Sequence, residues 1–445
     1  MAGGNTGKAF NDWLAGHTAY CAAQLAQAIS ATTLCRERGE FGQRIKPSRG
    51  SVLASRVIAN WNPEPDYFFH WVRDAAIAMR AVVDLGHLAE SPAERAHWQR
   101  CFHDMVRFSL GIASNRSVKP APVDYRDRTL KSCKRFLRPR SQLAALSEER
   151  LLGEPRFNPD GSVDVLRWSR PQLDGPALRA LACLAWLQQG GKLTSALQQL
   201  LQIDLQFTLA NAGKRSIGPW EEPQEYGHHY HVALVQLGAL VQGRRFAGRA
   251  LARWQRAERK LHTLLERHWL PRQQVFRAVQ PLDGAARSKL GAEQAVDAAI
   301  VLAIVEADLP SATHSVLDAR AAATLAALER AFDAAFPINA KRPRHLPPAL
   351  GRSLADKYFG GGAWYATTLG AAAFCYRHAL AEPATASVWH KRGDQYLRTV
   401  KWMLPRDGSM AEQVDRNTKM PRSAQHLTWS YAAFISAVSL RRQLV

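Results

Sequence analysis

Residues 219–222 read Pro-Trp-Glu-Glu, two adjacent carboxylates behind a tryptophan and ahead of a run that reads as a buried helix. At a helix start such a pair can do no more than sit near the positive end of the helix dipole. In an apolar, aromatic pocket neighbouring carboxylates cannot both ionise cheaply, so one keeps its proton near neutral pH, as a general acid must. Either Glu221 or Glu222 qualifies as that donor. Acid–base cleavage of an acetal calls for a second carboxylate, and Glu412 in "DGSMAEQVDR", between a glycine turn and a later helix, supplies one.

Two further stretches share one theme. "DYFFHWVRD" holds Tyr67, Trp71, Arg73 and Asp74, and "WSRPQLDGP" holds Trp168, Arg170 and Asp174. An Arg beside an Asp at a helix start can be a plain ion pair. Next to tryptophan the same residues also suit a sugar, whose vicinal hydroxyls take charged bidentate partners and whose C–H face lies on an aromatic ring. The histidines of "HHYH" (His228, His229, His231) lack the one-turn spacing of a helical metal pair, and no thiolate or carboxylate set accompanies them. They read as satisfied pocket or surface histidines. The glycines at 360–362 lack the lysine and Ser/Thr of a phosphate loop and read as a turn that lets the backbone approach closely. No metal or organic cofactor is expected.

The elements that must position these groups are helical. Alternating strand patterns are almost absent, and apolar periodicity places helices at 10–30, 74–85, 93–113, 174–190, 193–211, 228–243, 246–268, 292–307, 319–332, 362–380, 385–403 and 427–442. Their character alternates. The seventh puts Leu251, Trp254, Ala257, Leu261 and Leu264 on one stripe, whereas "GPALRALACLAWL" and "AWYATTLGAAAF" are apolar nearly all round. Six helices with a wet face alternating with six dry ones make an all-α fold, an (α/α)6 toroid in which an inner ring is wrapped by an outer one. One catalytic domain then takes all of 1–445, with 1–60 as an N-terminal helix and lead-in. The candidate residues fall just before or within even-numbered helices, so they emerge at one end of the ring. The long excursions 114–173 and 269–291 are of the kind that line a site.

The formal charge of +21, from 59 Lys and Arg against 38 Asp and Glu, attracts polyanions at long range, but no groove-reading motif surrounds the basic clusters at 125–140 and 341–348. A solvated basic surface is the expectation, with an anionic substrate or envelope surface as the other reading. No segment is long and apolar enough to span a membrane. The six scattered cysteines read as free thiols of a reducing compartment, which gives a cytoplasmic protein, or a secreted or periplasmic one if a leader has been removed.

Taken together these stretches resemble glycoside hydrolase family 15, the glucoamylase family. "PDYFFHWVRDAAIAMRAVVDL", "RFNPDGS…WSRPQLDGPALRA", "PWEE…ALVQG", "GR…YFGGGAWY" and "MAEQVDR…SAQHLTWSYAA" follow in the family's order over 65–445. The resemblance implies an (α/α)6 barrel and inverting, exo-acting hydrolysis of α-glucosidic bonds in α-glucans or α-gluco-oligosaccharides, releasing β-glucose from non-reducing ends. It implies Glu221 as general acid and Glu412 as general base, with Tyr67 near the catalytic water. Arg73, Asp74 and Arg352 match groups that hold the terminal glucose, Trp168 an aromatic wall, and Glu222 a residue near the leaving-group sugar. Trp71, Trp220 and Trp364 complete the substrate-binding set. The "GGGAW" and "PQEYGHHYH" stretches depart from the family's pattern where leaving-group sugars bind, so they bear on linkage: α-1,4 is favoured over α-1,6 or trehalose. Two rival readings are a carbohydrate-binding regulator on the same toroid, which need not keep both carboxylates, and a polyanion-binding protein.

Overall fold

The structure is a computed structural model describing residues 2–61, 63–114, 118–280 and 295–445. The long helices of its first half are α1 (Ala2–Ala28), α2 (Val72–Leu88), α3 (Pro92–Ala113), α4 (Gly175–Gln188), α5 (Ser195–Asn211) and α6 (Tyr230–Gln242). Those of the second half are α7 (Leu251–Glu266), α8 (Ala299–Ala307), α9 (Ala319–Ala335), α10 (Tyr365–Ala381), α11 (Ala386–Met403) and α12 (Thr428–Arg442).

Segments apolar on every side need neighbours on every side, and the even-numbered helices find them in one another. α2 packs on α4, α4 on α6, α6 on α8, α8 on α10, α10 on α12, and α12 back on α2, which closes an inner ring. α4 buries every residue from Gly175 to Trp186. Its approach to α2 depends on Gly175, where a Cβ would meet Val72 Cγ1 at 2.7 Å. The outer helices α3, α5, α7, α9 and α11 each lie on the inner helix before them, and α1 covers α12. On α7 the stripe Trp254, Leu261 and Leu264 is buried, as its spacing requires, while Leu251 is 41% exposed because the helix only begins there.

α8 begins later than its periodicity suggests. Asp297 breaks the run by accepting the Ala299 N–H at 2.7 Å, so the first turn forms after it. Residues 292–294 of the expected helix and 281–291 of the second excursion lie outside the described residues.

The other excursion carries the short helices Arg140–Ala144 and Glu148–Leu152. Buried ion pairs hold it in place of a large apolar core: Arg138 with Glu154 at 3.0 Å and Arg156 with Asp164 at 2.8 Å. The lead-in also reaches the site end of the barrel. Arg36 and Arg38 converge on Asp66 at 3.1 and 2.7 Å, and the Phe68 N–H donates to the same carboxylate. Burial opposes ionisation of Asp66, but the two guanidiniums outweigh it and hold its pKa below the usual value. The segment bearing Tyr67 is thereby fixed from below.

Candidate active site

Two pairs and one three-stranded ribbon of very short strands tie the loops at one end of the ring together. His70–Trp71 pairs with Arg156–Phe157, and His228–His229 with Val279–Gln280. Gln413–Val414 lies between Ala363–Trp364 and Pro421–Arg422. The last ribbon sets Glu412 beside Trp364 and lets the Glu412 N–H donate to Ala424 O at 2.8 Å. The glycine turn before Trp364 is backbone approach, as its composition suggests. Gly360 and Gly361 have φ of 91° and 62°, and a Cβ on Gly362 would lie 2.3 Å from Val414 O.

All eleven residues singled out from sequence as catalytic or substrate-binding line one cavity of about 640 Å³. They arrive from the first turn of α2 and from the loops before α2, α4, α6, α10 and α12. The loop before α8 contributes indirectly, since the buried Asp297 carboxylate accepts Trp220 Nε1 at 2.9 Å.

Glu221 sits in a ring of donors. Its Oε1 accepts from Trp71 Nε1 at 2.9 Å, Arg73 Nη2 at 2.9 Å and Gln172 Nε2 at 2.8 Å, and its Oε2 from Trp168 Nε1 at 2.6 Å. The backbone there is left-handed, φ 65°, a conformation glutamate rarely adopts. Ser169 Oγ holds it by donating to Glu221 O at 2.6 Å. Such strain concentrates at functional sites.

The two glutamates of the opening motif do not share one environment. Glu222 lies at the outer edge, about one third exposed, 3.5 Å from Arg352. Nor does Arg73 pair with its neighbour Asp74. It reaches Asp174 at 2.7 Å and Glu221 at 2.9 Å. Burial raises the Asp74 carboxyl to about 7, with Arg73 working against the shift.

Glu412 is buried, with Tyr67 OH donating to Oε1 at 3.2 Å and Ser423 Oγ to Oε2. Burial pushes it up to about 7, against the pull of Ser423, Arg352 and Tyr67. Tyr67 also shares a 2.7 Å hydrogen bond with Tyr358 OH, and its ring lies 5.0 Å from that of Trp71, so Tyr67 and Trp71 bridge the two carboxyls. Arg352 is clamped by Asp356 through Nε at 2.8 Å and by a second contact through Nη2, with its guanidinium 5.2 Å from the Trp364 ring.

Gln172, Asp356, Tyr358, Ser423 and Trp429 complete this site and were not singled out from sequence. Apart from Trp429, which lies in the first turn of inner helix α12, they are isolated polar residues in loops, and spacing carries no sign of them. Arg170 departs from the theme of its segment. It turns away from the cavity to Glu154 at 2.6 Å, because Glu154 and Asp164 lie behind it. Of the three histidines, His229 Nε2 donates to Glu225 O at 2.6 Å and His231 Nε2 reaches Glu306 Oε2 at 2.8 Å; both are buried. Among the described residues no group of His, Cys, Asp and Glu is arranged to hold a metal ion.

Residues 40–439 match the profile of glycosyl hydrolases family 15. The chain belongs to that family. It is 26% identical to a glucoamylase of Blastobotrys adeninivorans over 89% of its own length and 68% of the relative's, and 28% identical to glucoamylase P of Amorphotheca resinae over 88% and 65%. It therefore spans about two thirds of the length of these curated relatives. Among solved structures, the family 15 glucoamylase of Hypocrea jecorina superposes with a TM-score of 0.75 at 21% identity, covering 98% of this chain and 73% of that one. The fold is the (α/α)6 barrel, and the enzyme is a glycoside hydrolase of the exo-acting, glucose-releasing kind, with the inverting mechanism general to the family. The regulator and polyanion-binder readings give way to that one.

Proposed function

We propose that the chain cleaves the terminal α-glucosidic bond by a single displacement in which Glu221 is the acid and Glu412 the base. Glu221 Oε1 already takes three donors whereas Oε2 takes one, so a proton on Glu221 resides on Oε2 and is offered to the glycosidic oxygen from there. As that bond lengthens, positive charge spreads over C1 and the ring oxygen. Glu412 then removes a proton from a water on the opposite face, with Tyr67, already bonded to Oε1, helping to place it. Asp74, Arg73 and Arg352 are the charged partners for the sugar's hydroxyls. The buried Trp364 Nε1, unpartnered among the described residues, is a further donor facing the cavity.

The observation that carries this reading is that both carboxyls line the same cavity, bridged by Tyr67 and Trp71. One observation favours the reverse assignment. Burial lifts Glu412 toward neutrality, as suits an acid, and four donors converge on Glu221, as suits an anion. The order of the family motifs favours Glu221 as acid. On that reading the working form is the protonation state in which the proton resides on Glu221 while Glu412 is ionised.

We favour α-1,4-linked glucans and oligosaccharides, and the reading of 1–445 as one catalytic domain. The six cysteines carry no disulfide, which supports a reducing compartment, and no described helix is long and apolar enough to cross a membrane. Incubation with maltose, isomaltose, nigerose, kojibiose and trehalose, followed by proton NMR of the anomeric signals before mutarotation, tests function and linkage together. β-Glucose should appear first, and fastest from maltose. An initial burst of α-glucose would mean a covalent intermediate and remove Glu412 as base.

A further inference from the structure

Trp168 has two sides. With its indole N–H on Glu221 it walls the catalytic cavity, and it also lines a separate groove of about 570 Å³ formed by the first excursion and the ends of α5 and α6's preceding loop. Beneath that groove lie three guanidiniums and two carboxylates. Arg138 and Arg170 bind Glu154 at 3.0 and 2.6 Å, while Arg156 binds Asp164 at 2.8 Å and stacks 3.8 Å from the Trp168 ring. One positive charge is left over. Around the rim Arg150, Lys214 and Arg215 stand exposed, with Glu149 the exposed acid among the lining residues. Five of the seventeen lining residues are Lys or Arg, against 59 of 445 in the whole chain, so the groove is about twice as basic as this basic protein. The surplus continues past the rim: besides burial, Arg215, Lys260 and Arg267 together disfavour a charge on His228.

The groove on the other flank of the site carries no such surplus. It shares Trp220, Glu222, Arg352 and Tyr358 with the catalytic cavity, and its acids Glu222, Glu225 and Asp356 stand against Arg352 and Lys357. A neutral glucan gives no reason for a cationic groove that begins at the wall of the catalytic cavity and is lined by an exposed ring, Tyr226, as well as by Trp168. Exposed cations beside a wall of the cavity that receives the sugar chain do suit an anionic substituent, which they bind through charge-assisted hydrogen bonds.

We propose that this groove is a subsite for an anionic group, a phosphate ester or a carboxylate, borne by the sugars on the leaving-group side of the scissile bond. The inference rests on the reading of the Glu221–Glu412 cavity as the place where that bond breaks. It assigns the enzyme to acidic α-gluco-oligosaccharides in preference to neutral ones of the same length.

The test compares maltooligosaccharides of two to five glucose units in three forms: with the reducing end oxidised to the aldonate, with it reduced to the neutral alditol, and with a phosphate on the reducing-end sugar. At low salt the charged forms should show a KM roughly three- to tenfold below the alditol at the length that reaches the groove, the effect of one or two solvent-screened ion pairs. The advantage should vanish near 1 M salt, where the screening length is about 3 Å. The triple substitution Arg150→Ala, Lys214→Ala, Arg215→Ala should abolish it while leaving turnover of the alditol unchanged. Equal KM for charged and neutral forms at every length overturns the proposal, and so does an advantage that survives the triple substitution. Calorimetric titration with the phosphate and alditol forms reads the groove without turnover. Failure of the hydrolytic reading then shows as absent glucose release from every form, whereas failure of the groove shows as equal affinities.

Discussion

Glu221 and Glu412 face one cavity from surroundings that differ in kind. Glu221 is partly open to the cavity and held by four N–H donors, one of them a guanidinium anchored in turn by Asp174. Glu412 is buried, bonded by two hydroxyls, and lifted to about 7 by loss of solvent. The protein thus uses preorganised hydrogen bonding for one carboxyl and desolvation for the other. The donor-rich side fixes direction, because four donors from two chain segments leave Glu221 little freedom to rotate. The dry side fixes the proton affinity, because nothing near Glu412 carries enough positive charge to offset its burial.

The comparison is broken most directly at the carboxyls. Glu221→Gln and Glu412→Gln should each lower kcat on maltose by about 10²–10⁴-fold, the usual range for a lost proton-transfer group, with the fold intact by circular dichroism. A variant that retains more than about a tenth of the activity has lost a residue outside the reaction.

Arg73 sharpens the donor side. From sequence Arg73→Ala is a clean probe of sugar binding, but the structure makes it a structural lesion too. Arg73 is 3% exposed, and its removal leaves Asp174 buried without its guanidinium, with only His231 Nδ1 at 3.8 Å beside it. A loss of roughly 3–5 kcal/mol in thermal or denaturant unfolding is expected, together with the loss of kcat. Arg73→Lys keeps the charge and should recover stability more than activity, since one ammonium cannot serve Asp174 and Glu221 with the geometry of a guanidinium.

On the dry side stability and activity oppose each other. A carboxyl whose pKa is raised on folding stabilises fully below its unfolded value, near 4.3, and loses that contribution as pH rises through about 7. Glu412→Gln removes this penalty. Relative to wild type it should be neutral near pH 4 and more stable at pH 8 by up to about 4 kcal/mol, read as a pH-dependent difference in unfolding free energy. A difference independent of pH would show that Glu412 is not raised.

The smallest effect belongs to Ser423. Its hydroxyl bond favours the ionised form of Glu412, so Ser423→Ala should raise Glu412 further and move the acidic limb of kcat/KM upward by up to about one pH unit. An unmoved limb would place that limb on another group.

The same contrast between donor side and dry side explains what was legible in the sequence. Twelve helices and their alternation between wet and dry faces follow from apolar periodicity, and the ring they form delivers the loops before even-numbered helices to one end. Trp71, Arg73 and Glu221 stand out because aromatic and charged residues are conspicuous beside apolar helices. Ser423, Tyr358 and Gln172 do not, because one polar residue in a loop has no period, and their roles arise from chain segments far apart in sequence. The strand pairs that join those segments are two residues long, too short for alternation to register. Arg170 shows the converse. Its segment repeats the types around Arg73, yet the carboxylates behind it draw the side chain away.

α-Glucosyl fluoride separates acid from base, because fluoride leaves with little help from a proton donor while the attacking water still needs a base. Steady-state rates of the two variants on this substrate, set against their rates on maltose, test the assignment most directly. Glu221→Gln should recover to within about tenfold of wild type on the fluoride, and Glu412→Gln should stay as impaired as on maltose. Recovery by Glu412→Gln with Glu221→Gln left inactive would reverse the roles and contradict the account.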